Sequence, residues 1–205
     1  MSAVKEHPIL FKGPMVRAIL GGRKTQTRRV VTPHNSEIDG KALPVRKTWP
    51  LLDFSGAVVD PGFGDGAYLK VPHTTEDTVH RVRPKWQRRD QLWAKENWAQ
   101  SPEGQIFYQA DDYGTKWAGR WKPSIFMPRK VSRITLEIIN IRVERLQEIT
   151  TEDAMSEGVN NTTRILKEAP RNAFIELWKS INDKRGFGWH SNPWVWVFEF
   201  KRVEP

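Results

Sequence analysis

Gly21-Gly22-Arg23-Lys24-Thr25-Gln26-Thr27-Arg28-Arg29 packs two glycines, four cations and two hydroxyls into nine residues directly after an apolar run. Upstream, Pro14-Met15-Val16-Arg17-Ala18-Ile19-Leu20 sets apolar side chains at 15, 16, 19 and 20. That spacing is one face of a helix, with Pro14 in its first turn and Gly21 as its stop. Downstream, residues 25–31 are rich in β-branched side chains and are closed by Thr32-Pro33, which predicts a strand. The stretch therefore reads as helix, glycine turn, strand. Lys24 stands at the turn, where Gly21 and Gly22 allow a ligand to approach the backbone closely.

Working outward, residues 7–12 predict a short strand that delivers the chain to the helix. From residue 33 to 89 prolines at 33, 44, 50, 61, 72 and 84 and the run Pro61-Gly62-Phe63-Gly64-Asp65-Gly66 predict a loop-rich insertion. Only one or two short strands are expected in it, near 57–59 and 67–71. Lys85 to Arg89 is a basic turn around Trp86, either a charged surface lead into the next strand or a phosphate-contacting rim. Leu92-Trp93 and Ile106-Phe107-Tyr108 predict strands, followed by a turn at 111–114 and an aromatic, basic loop at 117–121.

Residues 132–143 form the longest strand candidate. Its apolar positions run 134, 136, 138 and then 139, 141, 143, and the change of parity predicts a β-bulge or burial on both faces. Thr150 and Asp153 stand in the capping-box relation in a short helix ended by Gly158. A polar connector at 160–169 leads to a second helix over 170–182, with Phe174, Leu177, Trp178 and Ile181 as its core stripe. Trp194-Val195-Trp196-Val197-Phe198-Glu199-Phe200 is the strongest strand signal.

The chain has 205 residues, enough for a single domain, which is the organisation expected over 1–205. Its 33 Lys and Arg against 24 Asp and Glu give +9, which favours a polyanionic partner such as RNA or single-stranded nucleic acid, or a nucleotide-like ligand. With no Cys and five His scattered at 7, 34, 73, 80 and 190, neither a metal nor a cofactor is expected. No run is long and apolar enough for a membrane span and the N-terminal residues lack a signal-peptide core, so the expectation is a cytoplasmic protein without a membrane partner. Nothing in the sequence sets an oligomeric state.

The pattern G-x-K-x-x-x-R (Gly22, Lys24, Arg28) after a helix resembles the ASCH family, a branch of the PUA-like superfamily. Asp90, Leu92, Trp93, Glu96 and Trp98 resemble its D-x-L-W-x-x-E-x-W strand, residues 146–158 its late helix, and residues 194–203 its closing strand. About half the chain is covered; residues 33–89 have no counterpart. The resemblance implies an α+β fold around a small, mostly antiparallel PUA-like β-barrel with flanking helices at 14–21, 150–157 and 170–182. It also implies a site, because ASCH-type amidohydrolases acting on cytidine acetylated at its exocyclic amine use a lysine, a threonine nucleophile and a glutamate. These fall on Lys24, Thr27 and Glu157.

The trio makes chemical sense for amide cleavage, which needs a nucleophile, a base and an acid for the leaving amine. A threonine hydroxyl needs a neighbour to take its proton, and Lys24 serves only if burial and the cations Arg23, Arg28 and Arg29 bring it well below the ordinary value of about 10.4. Glu157 would donate to the departing amine. Arg28, with Arg23, Arg29 and Trp93, is the expected substrate-binding set, an arginine stabilising an oxyanion or phosphate and an indole stacking on a base. Two other readings stay open: a non-catalytic module binding RNA or a modified base, with Trp86, Trp93 or Trp98 as stacking platform, and a ribonuclease using Lys24 and Glu157.

Overall fold

In the computed structural model, which describes residues 4–32, 36–38, 52–60, 68–111, 119–159 and 169–203, a five-stranded sheet carries the chain's most apolar strands. Its order is β1 (Glu6–Leu10), β7 (Gln91–Lys95), β10 (Thr135–Arg145), β11 (Trp194–Val203), β2 (Gln26–Val30). Every pairing is antiparallel except β1 with β7. That parallel pair is possible because the intervening chain is long enough for a crossover, which a hairpin is not. Among the described residues the sheet is open, with β1 and β2 as its edges, so the mixed α+β class and mostly antiparallel pairing hold while a closed barrel is not formed.

Each face of this sheet is covered. On one lie α1 (Gly13–Leu20) and a second antiparallel sheet of β3 (Ser36–Ile38), β6 (Val79–Pro84), β5 (Tyr68–Pro72) and β4 (Val58–Asp60). Ile38, Leu69, Val71 and Val82 of that sheet are buried in one cluster with Val16, Ile19, Leu136, Trp196 and Phe198. Trp196 Nε1 donates to Ser36 Oγ across the layers at 3.0 Å. On the other face α2 (Thr151–Ser156) and α3 (Ala169–Asn182) bury Ala154, Phe174 and Trp178 against Val30, Val195 and Val197. A small hairpin of β8 (Trp98–Gln100) and β9 (Ile106–Tyr108) stands apart.

Two strands of the second sheet, β4 and β5, fall where short strands were expected near 57–59 and 67–71; β3 and β6 correct the loop-rich reading of the rest of 33–89 among the described residues. Prolines mark the sheet's borders rather than preclude strands: Pro72 ends β5 and Pro84 ends β6. What holds it is burial of alternate residues against the aromatic face of β11, a tertiary effect that local punctuation does not report. In β10, by contrast, the change of parity is reproduced as a register shift between Ile138 and Asn140, and Ile139 is left half exposed. The glycine-rich stretch 61–66, the turn at 111–114, the loop at 117–121 and the connector at 160–169 lie wholly or partly outside the described residues.

The string from Asp90 to Trp98 is committed to structure. Asp90 accepts from the Gln87 backbone N–H at 2.8 Å and pairs with His7 at 3.3 Å. Glu96 is buried and gripped by Arg133 Nε and Nη2 at 2.9 and 3.0 Å. The Lys85–Arg89 turn, with Arg89 in the left-handed region, leads into β7 and is a surface turn.

Candidate functional site

Helix α1 ends at Gly21, and Gly22 follows with φ +69°, a conformation glycine takes without strain. The backbone N–H groups of Arg23 and Lys24 both donate to Ala18 O, at 2.8 and 3.0 Å, so the turn is tied to the helix it leaves. Thr150 Oγ1 caps α2 by accepting from Asp153 N at 3.1 Å, and Glu157 is that helix's C-cap. Gly158 then turns away with φ +84°. These two turns face one another as an isolated antiparallel bridge between Lys24 and Glu157.

Gly158 sets how close they come. A Cβ there would sit 2.7 Å from Ala18 Cβ and 2.8 Å from Lys24 Cβ, in a backbone conformation that L side chains avoid. Gly158→Ala is expected to cost about 1–3 kcal/mol of stability and to displace Lys24. Urea denaturation reads the first effect and loss of ligand-dependent activity the second.

Lys24 and Glu157, 133 residues apart in sequence, meet at 2.8 Å between Nζ and Oε2 with both side chains buried. Lys24 Nζ also donates to Glu157 O at 2.9 Å and to Gln26 O, the carbonyl immediately before Thr27, at 2.8 Å. Burial is the main force lowering the Lys24 pKa; the Glu157 carboxylate opposes it, and Arg29 and Arg28 push it further down.

Strand β2 sorts its side chains by period two. Thr27 pairs with Phe198 and Arg29 with Trp196, on the aromatic face; Gln26 and Arg28 pair with Glu199 and Val197, on the α2/α3 face. Lys24 Nζ and the Arg29 guanidinium each lie 5.7 Å from the centre of the Phe11 ring, which puts Lys24 on the Thr27 side. Glu157 reaches both faces around the edge strand, because its other oxygen, Oε1, accepts from Arg28 Nη1 at 3.1 Å.

Arg28, expected as a substrate-binding group, is held by carboxylates although it lines the small cavity. Its side chain is wholly buried and donates to Glu144 Oε1 through Nε (3.0 Å) and Nη2 (2.6 Å), to Asp153 Oδ2 (2.9 Å) and to Glu157. Arg142 continues the network to Asp153 Oδ1 at 2.8 Å, to Glu144 and to Glu199. Burial would raise the Asp153 pKa, but Arg28, Gln26 and Arg142 hold it below the usual carboxylate range. Arg28 thus positions Glu157. Sequence reasoning missed Arg142, Glu144 and Glu199; their signal was charge inside the two strongest strands, opposite the cations of β2.

Arg29 differs from Arg28. Its Nη2 donates to a backbone carbonyl, Leu10 O, at 3.0 Å, and among the described residues its enclosed Nε has no hydrogen-bond partner. Arg23 is exposed at the mouth of a cleft of about 850 Å³ that runs between α1 and α3 and is also lined by Lys12, Arg17, Asp111, Glu157 and Gly158. A small cavity of about 50 Å³ adjoins it, sharing Met15, Glu157 and Leu177, and is lined further by Thr27, Arg28, Arg29 and Arg185. Trp93 is not brought here: β7 lies three strands from β2, roughly 14 Å at ~4.8 Å per strand. Trp98 is buried and Trp86 packs on Phe198 with ring centres 4.9 Å apart, so neither offers an open face to a base.

The fold and site define an α+β protein with a buried lysine–glutamate–arginine cluster at a sheet edge; Glu157 lines both the large cleft and the small cavity, Thr27 the small cavity, and Lys24 a separate cleft of about 580 Å³. No family model matches the chain, and no curated protein or solved structure matches it at a significant level. Among the described residues no group of acidic, histidine or cysteine side chains could hold a metal ion, and no helix is long and apolar enough to cross a membrane.

Proposed function

We propose that this chain is an amidohydrolase of the ASCH, PUA-like type that cleaves the amide of a cytidine, or a related nucleoside, acylated at its exocyclic amine. The observation that carries the reading is the buried 2.8 Å contact between Lys24 and Glu157, with Thr27 beside the Gln26 carbonyl that Lys24 also grips. Arg28 balances Glu157 from the far side, so Lys24 can lose a proton without leaving the carboxylate unpaired. In the proposed sequence neutral Lys24 takes the Thr27 proton as Oγ1 adds to the acyl carbon. The proton passes along the Lys24–Glu157 hydrogen bond to the departing amine as the C–N bond breaks. Water then hydrolyses the threonine ester, giving the free acid and restoring Thr27.

The test is a panel of acylated nucleosides offered to the intact protein, with cytidine release followed against pH. Because Lys24 must be neutral in the free enzyme and its pKa is depressed first by burial and then by Arg29 and Arg28, kcat/KM is expected to rise with pH. The midpoint of that limb should fall below the ordinary lysine value of about 10.4. A flat profile would remove Lys24 from the role of base.

A second reading, a module that binds RNA or a modified base, is favoured by one observation, the cations Lys12, Arg17 and Arg23 along the large cleft. They suit phosphates. No turnover on any substrate of the panel, together with RNA binding lost in Lys24→Ala, would select it.

A further inference from the structure

The small cavity beside Thr27 carries an imbalance of charge that the proposed reaction does not use. Among the described residues three arginines line it, Arg28, Arg29 and Arg185, against one carboxylate, Glu157. Arg28 is neutralised by Glu144 and Asp153 as well as Glu157. Arg185 is anchored to Asn182 Oδ1 at 3.1 Å, and Arg29 has the enclosed, unpartnered Nε. Among the described residues neither Arg29 nor Arg185 has a carboxylate partner, so an anion in the cavity would sit between two cations that otherwise repel. Burial, partly offset by Glu157, lowers the Arg29 pKa, and Arg185 repels it from across the cavity.

We propose that this cavity binds a small carboxylate between Arg29 and Arg185, beside Thr27. The cavity adjoins the large cleft, so a carboxylate held in it has room for its chain toward that cleft. Planarity matches the guanidinium fork. For its source the site rests on the amidohydrolase reading, and two are chemically equivalent: the acid released by the reaction, or a carboxylate carried on the acyl group itself.

The experiment is equilibrium titration of the full-length protein with acetate, succinate and inorganic phosphate, by calorimetry or thermal shift at constant ionic strength. Saturable carboxylate binding is expected, weakened about ten- to a hundred-fold in Arg29→Met and in Arg185→Met, and phosphate bound more tightly than either carboxylate would overturn the choice of anion. Arg185 is exposed, so its variant should fold even if the Arg29 variant does not. Acetate bound at least as tightly as succinate identifies the released acid as the ligand; succinate bound more tightly identifies an acidic acyl group. No saturable binding of either, or binding indifferent to both substitutions, overturns the site. The readout does not depend on turnover: a protein that binds acetate there but hydrolyses no acylated nucleoside keeps the site and loses the reaction, and the converse result does the reverse.

Discussion

Lys24→Met is expected to lower cytidine release from an acylated cytidine by about a thousand-fold, within the range that a positioned general base contributes. Thr27→Ala and Glu157→Gln should each fall to a similar floor, and the double variant Lys24→Met/Glu157→Gln should be no worse than either single one. Groups that pass one proton along one path act as a unit, so their losses do not add. The geometry behind this is the continuity of contacts from the Gln26–Thr27 peptide through Lys24 Nζ to Glu157 Oε2. Steady-state kinetics on the four proteins, each checked by circular dichroism, measures it. Losses that multiply in the double variant would mean that Lys24 and Glu157 act separately.

The second large effect is on stability. Glu157→Ala should cost about 3–5 kcal/mol, because it removes the shared partner of two buried cations, Lys24 and Arg28. Lys24→Met should cost less, since Glu157 then keeps Arg28 and the lost ammonium carried its own burial penalty. Urea denaturation at fixed pH ranks the two. The reverse order would mean that Lys24, rather than Glu157, is the hub of the cluster.

The elements of this fold were legible wherever local pattern and tertiary demand agree. Pro14, Gly21 and the apolar face between them define α1; the parity change at residues 138–141 defines the bulge; Thr150 and Asp153 define the start of α2. Half of the four-stranded sheet was legible, since the strands expected near 57–59 and 67–71 are β4 and β5; Ile38 of β3 and Val82 of β6 are strand residues only once Trp196 and Phe198 cover them. For the site, the sequence pointed to Lys24 and Glu157 through the resemblance, and the structure brings them into contact. It did not reveal that Arg28 is consumed by carboxylates from β10 and α2, since that depends on which strand lies beside β2. Nor did it reveal Arg185, which reaches the cavity from beyond the end of α3, a helix whose apolar stripe reads only as core. Trp93 failed as a ligand for the opposite reason: its neighbours in sequence suggested a site, and strand order placed it elsewhere.

Thr27 decides the account most directly, because Lys24 and Glu157 would keep their buried contact in any structural role. The measurement is cytidine release from cytidine acylated at the exocyclic amine, by wild type and by Thr27→Ala prepared in parallel and shown to be equally folded. Release by wild type and background release by Thr27→Ala is the predicted result. Equal release by both, or none by wild type with enzyme in excess, would contradict it.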